Sequence, residues 1–259
     1  MSGHRIIYLI VGLIGGFLLG FAFANGVNRR ELDAARMGQA QVPSSANKSD
    51  AVRRESAPPG DDASRTILTD GELSKAVAKG DANPTDIALQ RNLGGGLYLY
   101  AMKTRNTKFL SDAVRFLKRA HEGDPKDYET MVLLGEALFD AGQHEGSAAR
   151  IGEARKYFTK ALEAKPDDIN VRTELGLTFF FDLPSNPRRA IQEYRKSLAI
   201  DPQHEMTLQS LAASLLAVGE RAEAQKIINE LQKANPSNAA LPNLRTQLAS
   251  DTTIPRERN

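Results

Sequence analysis

The order of apolar and polar residues divides the chain into three parts. Residues 6–24 form an uninterrupted apolar run without a charged side chain. Residues 31–66 are polar, rich in Ser, Ala, Pro, Asp and Arg, and contain no aromatic residue. From residue 67 onwards, apolar residues recur every three or four positions, which is the spacing of amphipathic helices. We therefore expect helices in this third part.

The apolar run is long enough to cross a membrane. As a helix, residues 6–24 would span about 28 Å, close to the roughly 30 Å of a bilayer core. This predicts a transmembrane anchor within residues 1–30. A cleaved signal peptide is the alternative, because Ala22-Phe23-Ala24 resembles a cleavage site. The length of the run and an N-terminal region with only Arg5 favour the anchor.

Three glycines of the predicted anchor are spaced by four residues and so share one helix face. Small residues at this spacing allow two membrane helices to approach closely, although glycine is also common in membrane helices in general. The face is a candidate packing surface for a partner or for a second copy of the chain. It is formed by Gly12, Gly16 and Gly20.

Two indications of membrane orientation conflict. Arg29, Arg30 and Arg36 follow the run, and positive charge favours the cytoplasmic side. A short N-terminal tail before a single apolar helix is common in anchors of exported domains. We expect a single-pass protein of the bacterial inner membrane with its C-terminal domain in the periplasm, and a cytoplasmic domain is the alternative.

The polar stretch 31–66 predicts a disordered tether. With so few large apolar residues, it buries too little surface to offset the entropy lost on ordering. A flexible chain of this length would hold the next domain roughly 30–36 Å from the membrane on average.

The remainder of the chain is repetitive. Prolines recur at intervals of 41, 41, 36 and 34 residues, at Pro84, Pro125, Pro166, Pro202 and Pro236. Nine residues after each of the first four comes a leucine followed by a small residue, namely Leu93-Gly94, Leu134-Gly135, Leu175-Gly176 and Leu211-Ala212. A second pattern of small, large, small residue and proline follows in each unit, as in Ala154, Phe158, Ala161 and Pro166.

These spacings resemble the tetratricopeptide repeat, a pair of antiparallel helices that stacks into a solenoid. The resemblance implies an all-α, TPR-type helical-hairpin solenoid over residues 67–250, preceded by the transmembrane helix and the disordered linker. Its parts are a cap helix at 69–80, repeats at about 84–125, 125–166, 166–202 and 202–236, a closing helix at about 239–250, and a tail at 251–259.

The units differ in length between their two helices. The first two each carry extra residues, and we expect longer helices in "YAMKTRNTKFLSDAV" but a larger loop in "AGQHEGSAARIGEA". "FDLPSNPRRA" predicts a proline-bearing turn in the third unit. Gly142 and Gly219 are expected to end first helices with a positive φ angle.

Candidate chemistry is sparse. The chain has no cysteine, and its four histidines show no metal-ligand spacing. The net charge of +2 argues against a nucleic-acid partner. Gly94-Gly95-Gly96 lacks the Lys-Ser/Thr of a phosphate loop, and close helix packing accounts better for it. We expect a non-enzymatic protein that has no cofactor and no metal.

The resemblance implies a peptide-binding groove lined by the first helix of each repeat. Tyr98, Phe139 and Phe180 would form an aromatic ladder there, unless the helices bury these rings against one another. The predicted groove positions are Arg91, Gly95, Tyr98, Val132, Glu136, Phe139, Thr173, Leu177, Phe180, Gln209, Ala213 and Leu216, with Phe181 at the edge.

The expected function is protein–protein interaction or complex assembly at a membrane. Its layout is similar to bacterial envelope proteins that combine one N-terminal helix with a soluble repeat domain. The expected partner is a protein or peptide. The alternative is a structural scaffold of the cell envelope that self-associates as a homo-oligomer.

Overall fold

The computed structural model describes residues 69–250. The predicted anchor with Gly12, Gly16 and Gly20, the tether 31–66 and the tail 251–259 lie outside the described residues. Within the described range the chain forms ten α-helices and no strand. No helix in this range has the length and apolarity needed to cross a membrane. The helices are α1 (Asp70–Ala82), α2 (Ile87–Thr104), α3 (Leu110–Gly123), α4 (Tyr128–Glu145), α5 (Ala148–Ala164), α6 (Ile169–Phe180), α7 (Pro187–Ile200), α8 (Glu205–Ala217), α9 (Arg221–Ala234) and α10 (Leu241–Ser250).

Eight of these helices form four consecutive pairs: α2 with α3, α4 with α5, α6 with α7, and α8 with α9. Each pair also packs on the next, and α1 and α10 pack at the two ends. The first helices of successive pairs contact one another directly, more than the second helices do. The first helices therefore line the inner face of the array, and the second helices form its outer face.

The repeated prolines lie just before the first helices, and the helix starts explain why. Two residues after Pro84, Pro125 and Pro166 comes an aspartate that caps the following helix. Asp86 and Asp168 each accept a hydrogen bond of 2.9 Å, from the amides of Leu89 and Val171. Such a cap satisfies an amide that has no partner within the helix, and its negative charge suits the helix dipole.

The first helix begins as the sequence predicts but ends later. Thr69 and Glu72 form a capping box at its start. The predicted end at Gly80 is wrong, because α1 continues to Ala82. Gly80 is buried, and a Cβ atom there would lie 2.7 Å from Leu93 Cδ1 and from Phe116 Cζ. Its role is to let α1 pack closely on the first repeat.

The small residue after each repeat leucine allows the two helices of a pair to cross closely. A Cβ atom on Gly94 would lie 2.7 Å from Leu117 Cγ, and one on Gly135 would lie 2.7 Å from Phe158 Cε1. On Gly176 it would overlap the ring of Tyr194. This packing was expected for the whole triplet 94–96, but a Cβ on Gly96 would meet nothing within 4 Å.

The first two pairs use their extra residues to lengthen helices. This was expected for the first pair, where α2 reaches Thr104 and a short 3-10 helix, Thr107–Phe109, precedes α3. For the second pair the expected loop is wrong, since α4 continues to Glu145 and α5 begins at Ala148.

The glycine that ends α4 is not the predicted one. Gly142 remains within the helix. A glycine is needed there because a Cβ atom would lie 2.9 Å from Ile151 Cγ1 of α5. Gly146, with a φ of 66°, ends the helix instead. Gly219 has the predicted positive φ, 78°.

The expected proline-bearing turn joins α6 to α7, and Arg155 of α5 holds it. The guanidinium donates to the Thr178 carbonyl oxygen at 2.8 Å and to Asp182 Oδ2 at 2.6 Å. The Asn186 amide also donates to the carbonyl oxygen of Phe179 at 2.8 Å. The turn is therefore tied to the second and third repeats at several points.

The core is continuous over the first half of the array and divided over the second. One cluster of buried side chains extends from α1 to α6. Two smaller clusters hold the third and fourth repeats together and attach α10. The first helices of the second to fourth repeats are thus fixed on a packed base.

Candidate protein-interaction groove

Five partly exposed apolar side chains follow one another on the inner face. They come from α4, from α6 and the residue that follows it, and from α8, and these are the first helices of three successive repeats. We call this set the inner strip. It consists of Val132, Leu177, Phe180, Phe181 and Leu216.

Aromatic contacts fix the centre of the inner strip. The rings of Phe180 and Phe181 meet edge to face, with centroids 5.2 Å apart. Phe181 makes a second such contact, at 5.9 Å, with Phe139 of α4. Because Phe139 is only 2% exposed, it supports the strip from below. Edge-to-face packing of this kind restrains the ring orientations.

Two positions of the predicted aromatic ladder do not face an open groove. Tyr98 and Phe139 are each 2% exposed. The Tyr98 hydroxyl donates to Asp140 Oδ2 at 2.6 Å, so this ring joins α2 to α4. Tyr98 and Phe139 are therefore buried between neighbouring helices, which was the alternative to the ladder. Phe180 remains partly exposed.

Three further predicted groove positions are also buried. Thr173 is fully buried, and its hydroxyl lies 2.7 Å from Thr207 Oγ1 of the next repeat. Gln209 is 2% exposed and Ala213 is 8% exposed. These residues do not line an open groove, because close packing of the third and fourth repeats covers them.

The predicted charged positions lie at the surface of the first two repeats. Arg91 Nη1 forms an ion pair of 3.0 Å with Asp127 Oδ2. Burial raises the pKa of Asp127, but hydrogen bonds from Thr130 and Arg91 outweigh it and leave the pKa below its usual value. Glu136 is half-buried on α4.

The sequence prediction missed one accessible residue of the inner face. Leu99 is 48% exposed on α2. It lies one turn after Gly95, whose Cβ position points towards Leu133 of α4. Leu99 directly follows Tyr98, as Phe181 directly follows Phe180. A large apolar residue directly after a ladder residue was therefore the sequence signal that could have identified Leu99.

The arrangement suits contact with a protein segment. A large apolar side chain buried against partly exposed aromatic rings is a common source of binding energy between proteins. Within residues 69–250, no group of three or more His, Asp or Glu side chains is placed to hold a metal ion.

Sequence comparison agrees with the helix pairs. Family models described as tetratricopeptide repeat match residues 128–168 and residues 185–248. The chain contains tetratricopeptide repeats. The first match covers the second repeat, and the other covers α7 of the third repeat, the whole fourth repeat and most of α10.

Solved structures of tetratricopeptide repeat proteins share the fold. "Crystal structure of MamA" matches with a TM-score of 0.51 and 21% identity, over 66% of this chain and 90% of that one. "YrrB: a TPR protein with an unusual peptide-binding site" matches with a TM-score of 0.53 and 15% identity, over 68% and 84%. TTC0263, a thermophilic TPR protein of Thermus thermophilus, has a TM-score of 0.50 and 18% identity, over 71% and 91%. Identities this low indicate a common fold alone.

A short part of the chain is similar to a longer bacterial protein. The probable biofilm formation methyltransferase WspC of Pseudomonas aeruginosa is 37% identical over 90 residues. The match covers 35% of this chain and 19% of WspC. The chain thus matches about one fifth of the length of that relative.

Proposed function

We propose that this chain is a non-enzymatic interaction module that binds a segment of a partner protein on the inner strip. The observation that carries the proposal is the row of partly exposed apolar side chains on α4, α6 and α8, held by the Phe139, Phe180 and Phe181 contacts. The presence of tetratricopeptide repeats supports protein–protein interaction, and YrrB is described as having a peptide-binding site.

A photo-cross-linking residue placed along the array tests this proposal. We would introduce it at Leu177 of the inner strip and, as a matched control, at the exposed Lys156 on α5 of the outer face. The expected result is a defined cross-linked partner from Leu177 and none from Lys156. The same partner captured equally from both positions would contradict the inner strip as the binding surface.

The proposed setting is the surface of a membrane. The apolar run 6–24 would anchor the protein, and the polar residues 31–66 would carry the repeats into the periplasm. Protease added to intact spheroplasts should then digest the repeat domain. Digestion only after lysis would place the domain in the cytoplasm and leave the inner strip to serve a cytoplasmic partner.

A further inference from the structure

Charge is distributed unequally between the two faces of the array. The first helices of the four repeats carry only Arg91, Lys103 and Arg172 as cationic residues. By contrast, the outer helix α7 alone carries four, namely Arg188, Arg189, Arg195 and Lys196. Ion pairs engage Arg91, with Asp127, and Arg172, with Glu193.

Helix α4 is the most acidic part of the inner face. It contains four carboxylates and neither lysine nor arginine. Glu145 turns towards the outer helix and pairs with Arg150 at 2.7 Å. The other three lie with Val132 on one side of α4, because residues three, four and seven positions apart share a helix face. They are Glu129, Glu136 and Asp140.

These carboxylates lie beside the inner strip. Asp140 follows Phe139, whose ring contacts Phe181 at 5.9 Å. The hydrogen bond from the Tyr98 hydroxyl holds the Asp140 carboxylate on the side of α4 that faces α2. Glu136 lies one helical turn after Val132, a member of the strip. An apolar surface is thus bordered by negative charge on its α4 side.

We propose that the inner strip selects a cationic amphipathic segment of a partner, with large apolar side chains on the strip and lysine or arginine facing α4. This inference rests on the proposed function and adds the charge of the partner to it. Complementary charge at the border of an apolar contact raises specificity and the association rate and opposes partners of like charge.

Two synthetic peptides test the charge preference. They share one amphipathic pattern of leucine and phenylalanine, and their polar positions carry lysine in one and glutamate in the other. The full-length chain is held in phosphatidylcholine nanodiscs, and peptide binding is followed by fluorescence anisotropy against empty nanodiscs. We expect the lysine peptide to bind about tenfold or more tightly than the glutamate peptide, with a smaller difference when NaCl rises from about 0.05 to about 0.5 M.

Substitutions test which residues produce the preference for the lysine peptide. Glu136→Gln should weaken binding of the lysine peptide about threefold and leave the glutamate peptide unchanged or bound more tightly. The matched control Glu163→Gln, an exposed carboxylate on the outer helix α5, should change neither. Phe180→Ser should reduce binding of both peptides, and circular dichroism checks that the variant remains helical.

The outcomes separate the two proposals. Equal binding of both peptides, with loss on Phe180→Ser, would overturn the charge preference and retain the inner strip. If Phe180→Ser does not change peptide binding, or if neither peptide binds, both the charge preference and the inner strip as binding surface would be overturned. If the chain without peptide forms dimers in sedimentation and Phe180→Ser dissolves them, the occupant is a second copy and the cationic partner is wrong.

Discussion

At the scale of single residues, some glycines are required by close helix packing and others are not. Gly176 faces the buried ring of Tyr194, and any Cβ atom there would overlap it. Gly96 also lies inside a first helix, but its Cβ position is open. The sequence marks both as glycine and cannot distinguish them, because the distinction depends on which residue of the paired helix lies opposite.

We predict opposite effects of alanine at these two glycines. Gly176→Ala should lower the free energy of unfolding by about 2 kcal/mol, because the new methyl group displaces the Tyr194 ring from a packed core. Gly96→Ala should raise it by about 0.5–1 kcal/mol, because alanine is the better helix former. Urea denaturation followed by circular dichroism measures both. Equal effects of the two substitutions would contradict the packing described for Gly176.

A buried histidine makes stability depend on pH. His121 is 9% exposed, its ring meets Tyr157 edge to face, and its Nδ1 atom is buried without a hydrogen-bond partner in the described structure. Burial, with a smaller contribution from Lys160, lowers the pKa of His121. Between the lowered pKa and the usual value of about 6.5, the unfolded chain binds the proton and the folded chain does not.

The free energy of unfolding should therefore fall as the pH falls through this window, and the His121 contribution is fully present only above about pH 6.5. His121→Phe, which retains the ring contact, should flatten this dependence in urea midpoints taken between about pH 7 and about pH 5.5. The control His144→Gln, at an exposed position, should retain it. An unchanged slope in His121→Phe would assign the dependence to other groups.

At the scale of helices, the regular spacing of proline and small residues predicted which helices exist and how they pair. It did not predict where each one ends. Gly142 and Gly146 lie four residues apart, and either has the conformational freedom to end α4. The structure uses Gly146, because Gly142 is needed where Ile151 of α5 approaches. That requirement belongs to the packed pair and cannot be read from α4 alone.

The end of α4 gives a prediction at this scale. Gly146→Ala should cost about 1 kcal/mol of stability, because a side chain strains the left-handed backbone at φ 66°. Gly146→Asn should cost less, because asparagine tolerates this conformation. Gly152→Ala, within α5 and with open space around its Cβ position, is the control and should be neutral or stabilising. A lower denaturation midpoint for Gly152→Ala than for Gly146→Ala would contradict this account of the helix end.

At the scale of the whole molecule, the inner face could be assigned from the sequence but its exposed residues could not. The repeat pattern placed Val132, Leu177 and Phe180 on that face, and all three are partly exposed there. It also placed Tyr98 and Phe139 there, which neighbouring helices cover. Exposure depends on how closely successive first helices pack, and that distance is set by contacts between repeats.

The central claim is that a partner binds through the inner strip. The most direct measurement is a titration of the partner segment captured at Leu177 against the parent chain, Phe180→Ala and the outer-face control Lys156→Ala. Circular dichroism confirms that each variant keeps its helices. We predict that Phe180→Ala weakens binding by about 2 kcal/mol or more, roughly thirtyfold, because a buried aromatic contact is lost. Lys156→Ala should bind as the parent does, and equal affinities of all three proteins would contradict the claim.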